Sequence, residues 1–158
     1  MAYQNISETV PRVPYQQRDR RYITEYVLLA FPGRPAWFNL RLGHAPDEIA
    51  RRNPGINVDR VARVWLRTAD AVVINEIEIV LLEGELRRPV ESVGELLIYR
   101  DLIYDTAELR PYGRLPIRMM LVCPINDPSL SSIMRAQGIE LAIYQPQWAL
   151  DYLRSVNQ

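Results

Sequence analysis

Two apolar runs, residues 71–74 (AVVI) and 77–82 (IEIVLL), stand almost end to end with only Asn75 and Glu76 between them, and they limit the fold more than any other feature. Valine and isoleucine fit a pleated strand, and runs with this little polar alternation belong to strands covered on both faces. A two-residue polar break between such runs is a hairpin signal. The sequence predicts a buried hairpin, which needs helices above and below it.

The rest of the chain supplies that cover. Residues 19–31 (DRRYITEYVLLAF) place apolar side chains at helical spacing and stop at Pro32-Gly33. Residues 36–42 (AWFNLRL) alternate in strand fashion. Residues 43–57, broken by Pro46, Pro54 and Gly55, read as a loop with at most a helical turn, and 58–67 carry no clear period. A helix is expected over 91–104 after Pro89, a strand over 117–123, a helix over 129–137, a strand over 139–144 and a terminal helix over 146–154. The predicted fold is α/β: a central mixed sheet flanked by helices, in the order α-β-β-β-α-β with a C-terminal α-β-α extension. At 158 residues and 48% hydrophobic composition the chain can bury one core, so residues 19–158 are expected to form a single domain. Residues 1–18, with two prolines and no periodicity, are expected to be an extended arm that needs a surface to lie on.

Charge narrows the function classes. Nineteen basic residues balance nineteen acids, which argues against a strongly basic nucleic-acid coat; any such contact would have to be local. Every basic residue is arginine, so no lysine can serve as catalytic base, Schiff-base former or point charge. The single cysteine, Cys123, excludes an internal disulfide and is expected at a buried strand end. The sole histidine, His44, gives no support to a paired-histidine metal site or a Ser-His-Asp triad. No apolar stretch suggests a membrane span or a secretion signal, so a cytoplasmic location is expected.

The hairpin also gathers acids. With its turn centred on Asn75-Glu76, residue 74 pairs with 77 and position 70 falls opposite 81. Asp70, Glu83 and Glu85 then share one face within about 5–8 Å, near enough for carboxylates to share a divalent cation. Oxygen ligands suit Mg²⁺, the ion with which phosphodiester hydrolysis is commonly performed.

These residues resemble the PD-(D/E)XK nuclease superfamily. Ala69-Asp70, a strand, and then Glu83-Gly84-Glu85 on the next strand resemble its bipartite motif, and the element order resembles its restriction-endonuclease-like core. Gly94-Glu95-Leu96-Leu97-Ile98-Tyr99 looks like the Q-x-x-x-Y helix of the RecB-like branch, with Glu95 where glutamine is usual. Three positions depart from the pattern: Ala69 replaces the proline, Glu85 the lysine and Glu95 the glutamine. The similarity covers about residues 20–123, and the chain's character also resembles small phage-encoded proteins.

The resemblance implies a Mg²⁺- or Mn²⁺-dependent DNA hydrolase or a close derivative. In it Asp70 and Glu83 hold the metal, Glu85 assists catalysis, and Glu95 and Tyr99 orient the substrate. Arg87 or Arg88 would supply the positive charge that stabilises the transition state, and Arg60, Arg63 and Arg67 would extend a phosphate-binding rim. Glu25 stands where some family members carry a further acid. The alternative is a catalytically inactive nuclease-fold component of a phage virion or other assembly, docked on protein subunits through residues 1–18.

Overall fold

The computed structural model describes residues 15–44, 51–52, 54–55, 66–87 and 89–156. Its elements are α1 (Tyr15–Ala30), β1 (Ala36–Leu42), β2 (Arg67–Asn75), β3 (Glu78–Gly84), α2 (Pro89–Leu102), β4 (Ile117–Cys123), α3 (Ser131–Ala136), β5 (Ile139–Ile143) and α4 (Gln147–Val156). Short 3-10 turns link α2 to β4 and precede α3. The order is the expected one. The five strands form one sheet in sequence order, antiparallel across β1, β2 and β3 and parallel across β3, β4 and β5. It is a mixed sheet flanked by helices, the α/β arrangement expected of the sequence.

The hairpin is the centre of the molecule. Residues 71–74 of β2 and 79–84 of β3 are all buried, which only a strand covered on both faces allows. On one face Tyr22, Ile23 and Val27 of α1 and Ala149 of α4 pack on Ala71, Val73, Val80 and Leu82. On the other, Leu96 and Tyr99 of α2, followed by Ile103 and Leu109, cover Val72, Ile74, Leu81 and Leu121. Burying each such aliphatic side chain contributes about 1.5–3 kcal/mol, so the hairpin core dominates the fold's stability.

Three details differ from expectation. The hairpin turn is Glu76-Ile77, because Asn75 stays in the strand opposite Glu78 and its Oδ1 accepts the Glu76 N–H at 3.1 Å. Ile77 sits in the turn 73% exposed, so an apolar residue that reads as strand is spent on a corner. Helix α2 begins at Pro89, where a proline costs nothing because the first helical N–H has no partner in any case. Helix α1 begins at Tyr15, four residues before the expected start, while residues 1–14 of the expected arm lie outside the described residues.

Candidate functional site

Asp70 and Glu83 meet where the hairpin ladder stops. The last paired residues are Ala71 and Leu82, and one step on the two carboxylates take over from backbone pairing. The Asp70 N–H donates to Glu83 Oε1 at 3.0 Å, and the Gly84 N–H donates to Asp70 Oδ2 at 2.9 Å. Asp70 therefore stands opposite Glu83, two residues from the expected partner Leu81. A slip of two keeps every side chain on its face, whereas a slip of one would reverse them all, so the expected convergence survives the wrong register.

A twist in the sheet opens this corner. Ala36 and Phe38 of β1 pack with Ala71 and Val73 on the α1 side, but Leu40, Leu42 and Ala69 lie in the core beneath α2. Residues two apart thus change faces, at Asn39 in β1 and Asp70 in β2. Asn39 has φ of +52°, in the left-handed region that asparagine tolerates better than most residues.

Helix α1 adds a carboxylate that was not among the expected site residues. Asp19 lies three and four positions before Tyr22 and Ile23, on the stripe that faces the sheet. Its Oδ1 is buried without a hydrogen-bond partner. Burial, followed by the charges of Glu85 and Asp70 and against the pull of Arg18, pushes its carboxyl up to about 7. An acid on an otherwise apolar helix stripe was the available signal. Asp19, Arg20, Asn39, Thr68 and Asp70 line an open cleft of about 340 Å³.

Glu83 is 4% exposed, and its carboxyl is held well above the usual range by burial first and then by the charges of Asp70 and Glu95. Asp70 is also raised by burial, against the Gly84 N–H and a hydrogen bond with the Glu83 carboxyl. That bond favours charged Asp70 and neutral Glu83, so without a cation the pair shares a proton that rests on Glu83.

Glu85 leaves β3 with its N–H bonded to the Val122 carbonyl at 2.9 Å, and its Oε1 accepts the Arg87 N–H at 2.6 Å. It lines a second cleft, beyond the ends of β3 and β4, while Glu83 lines neither of the two. Among the described residues Asp70 and Glu85 thus line separate clefts, yet the charge of Glu85 acts on Asp70, Asp19 and Glu95. On α2, Glu95 is half-buried and Tyr99 buried. Burial raises both groups; the charges of Asp70 and Glu85 add to Glu95, those of Glu83 and Glu95 to Tyr99, and Arg67 opposes both shifts. Both expected α2 residues thus border the acids.

Glu25 does not. Its Oε2 accepts the Trp148 indole N–H at 2.8 Å and its Oε1 the Arg21 Nε–H at 2.7 Å, tying α1 to α4. Burial opposes its ionisation, yet these bonds hold its carboxyl below the usual range. Glu25 is a structural acid, and Asp19 is the acid that α1 turns to the site. Arg87 is exposed, whereas Arg60, Arg63 and Arg88 lie outside the described residues.

The donor set is all oxygen. Among the described residues no three His, Cys, Asp or Glu side chains stand close enough to form a ready-made metal cage. Mg²⁺ does not need one, since it is commonly held by one or two carboxylates and keeps several waters. A half-buried Asp70 paired with buried Glu83, beside the unbonded Asp19 oxygen, fits that mode.

No protein-family model and no curated protein matches the sequence. Among solved structures, the crystal structure of a repair endonuclease from Pyrococcus abyssi is similar, with a TM-score of 0.50 at 14% identity over 80% of this chain. The match spans 46% of that protein's chain. At this identity the likeness is one of fold, and the fold is nuclease-like. Among the described residues no helix is long and apolar enough to cross a membrane.

Proposed function

We propose that this chain is a Mg²⁺- or Mn²⁺-dependent DNA phosphodiester hydrolase in which Asp70 and Glu83 hold the ion and Asp19 faces it from α1. The observation that carries the reading is the Asp70–Glu83 pair, two carboxylates left side by side where the ladder ends. Like charges so placed are costly without a counter-charge, and nothing in strand pairing requires them. The nuclease-like fold supports the same assignment, as does the approach of Glu95 and Tyr99 on α2, the positions that resemble the RecB-like helix motif.

A bound divalent ion would polarise a phosphoryl oxygen and ease deprotonation of water. The chain's own groups do the rest. Asp70 is oriented by the Gly84 N–H, and Glu83 by the Asp70 N–H. Glu85, held by the Arg87 N–H, is the group proposed to take a proton from the attacking water. Arg67, whose charge already acts on Glu95 and Tyr99, supplies the positive charge that the missing lysine would have given. Glu95 and Tyr99 would orient the substrate backbone.

One observation favours a second reading, an inactive scaffold of this fold within an assembly such as a virion. Asp70 and Glu83 satisfy one another through a shared proton, so the fold can close without a cation.

A thermal melt with and without Mg²⁺, beside a cleavage assay on single- and double-stranded DNA, separates the two. The hydrolase reading expects a metal-dependent rise in Tm, metal-dependent cutting, and loss of both in Glu83→Gln. No metal stabilisation together with no cutting in Mg²⁺ or Mn²⁺ leaves only the scaffold.

A further inference from the structure

The second cleft, about 460 Å³, lies beyond the carboxyl ends of the parallel strands β3 and β4, where open α/β sheets commonly bind ligands. Its volume falls in the range of small-molecule sites. One wall is the segment that leaves β3, with Glu85, Leu86 and Arg87; the opposite wall is the loop after β4; Leu153 and Val156 of α4 close the side.

The loop wall is fixed in advance. The Cys123 thiol donates to the Ile125 carbonyl at 3.1 Å, and the Gln145 amide donates to the Pro124 carbonyl at 2.8 Å. Asp127 Oδ1 accepts from the Ser129 N–H at 2.9 Å and from its hydroxyl at 2.6 Å. Pro124, Ile125 and Pro128 are thereby held facing Leu153 and Val156. Ile125 is 58% exposed and Val156 38%, so the cleft leaves apolar surface open to solvent. A ligand that covered it would gain by burying that surface.

Charge decides the kind of ligand. The cleft carries two acids, Glu85 and Asp127, against one described arginine, Arg87. Among the described residues, that lining offers a phosphate a net-negative rim. It suits a flat, neutral, heteroaromatic group that slides between aliphatic walls and finds hydrogen bonds at the rim, where Asn126 offers both a donor and an acceptor. Glu85 lies in this cleft while its charge also acts on Asp70 and Asp19, so the cleft adjoins the acid pair.

We propose that this cleft takes one unpaired nucleobase of the DNA whose backbone lies at Asp70 and Glu83, which makes single-stranded or locally unpaired DNA the substrate class. A base stacked in a duplex cannot reach such a pocket without leaving the helix, and extrusion costs least where pairing is already lost. The inference rests on the hydrolase reading for its orientation, but the pocket can be tested without cleavage.

The test is a methyl NMR titration of the full-length protein in Ca²⁺ with two probes of equal length, a deoxyribose tetranucleotide and an abasic tetramer with the same backbone. The expected result is saturable shifts of the Ile125, Leu153 and Val156 methyls with the tetranucleotide alone. Val156→Trp, which fills the cleft from a partly exposed helix end, should weaken binding at least tenfold. Ile133→Leu, on the exposed face of α3 outside the cleft, should leave the tetranucleotide affinity within about twofold. Equal shifts with the abasic probe, no shift with either probe, or undiminished binding by a folded Val156→Trp overturns the proposal. Cutting assays in Mg²⁺ keep the two readings apart: base-dependent binding without cutting sinks the hydrolase and leaves the pocket, whereas cutting without methyl shifts does the reverse.

Discussion

Asn39 lies across the β1–β2 ladder from Asp70, and the regular pairing that resumes on either side, Phe38 with Ala71 and Leu40 with Ala69, skips these two residues. Asn39 takes the left-handed conformation at that step, and the strands turn over so that Asp70 is drawn into an open cleft while Ala69 and Ala71 stay buried. A regular strand would set its residue 70 between flanking side chains of one common face. The local distortion is what gives this carboxylate access to solvent, and backbone strain of this kind gathers at functional sites.

Replacing Asn39 with glycine should therefore be nearly neutral, because glycine enters the left-handed region freely. Asn39→Val should cost about 1–2 kcal/mol, the penalty of forcing a β-branched residue into a region that asparagine tolerates. For a chain of this length that is roughly 2–4 °C of Tm per kcal/mol, read by differential scanning calorimetry. The valine variant should also lose more of any Mg²⁺-induced rise in Tm than the glycine variant, since it untwists the strand that presents Asp70.

The hairpin was legible because its apolar runs have no other use, and the convergence of Asp70 with Glu83 was legible because parity survives a two-residue error in the turn. The turn itself was misplaced by Ile77, whose β-branched side chain is strand-like by type but exposed by position. Asn39 gave no signal, since a single polar residue within AWFNLRL reads as ordinary alternation. Asp19 was within reach: it shares a helical face with Tyr22 and Ile23, but Glu25 drew attention by its family position, and only tertiary contacts reveal that Trp148 and Arg21 claim it. The second cleft depends on the segments after β3 and β4, whose shape no periodicity encodes.

Gly84 is held by close approach. A Cβ there would stand 3.1 Å from Ile23 Cβ and 3.3 Å from its Cδ1, so a side chain here would press α1 off β3 by a few tenths of an ångström. Gly84→Ala should destabilise by about 1–3 kcal/mol, as overpacking usually does. Because the Gly84 N–H also orients Asp70, the same variant should weaken Mg²⁺ binding, measured by isothermal titration, more than an equally destabilising change far from the site. Ile139→Val, a buried deletion at the start of β5, is the control.

At Glu83 the charge and the hydrogen bond can be separated. In metal-free buffer near neutral pH, Glu83→Gln should change Tm little, since burial already keeps this carboxyl protonated and the amide oxygen can still accept the Asp70 N–H. Glu83→Leu leaves that N–H without its partner and should cost about 1–3 kcal/mol. A Glu83→Gln variant that melts as low as Glu83→Leu would mean that the charged form is what the fold uses, contrary to the shared-proton picture.

Asp19 provides the pH dependence. Its carboxyl ionises near 3.8 when unperturbed and at about 7 in the fold, because burial and the charges of Glu85 and Asp70 disfavour the anion. The folded state thus holds this proton more tightly than the unfolded chain, and the associated stability is present in full below the unfolded value and is lost as pH rises from there through about 7. In EDTA the wild-type Tm should therefore fall between about pH 5 and pH 8, with Asp70, Glu83 and Glu95 contributing in the same direction because their carboxyls are raised as well. Asp19→Asn cannot ionise, so it should melt like the wild type near pH 4 and higher than the wild type at pH 8. Saturating Mg²⁺ should shrink the difference at pH 8, because a cation beside Asp19 favours the anion that burial disfavours. A pair of melting curves that run parallel from pH 4 to pH 8 would mean that Asp19 is already ionised in the fold and lies outside the acid cluster's field.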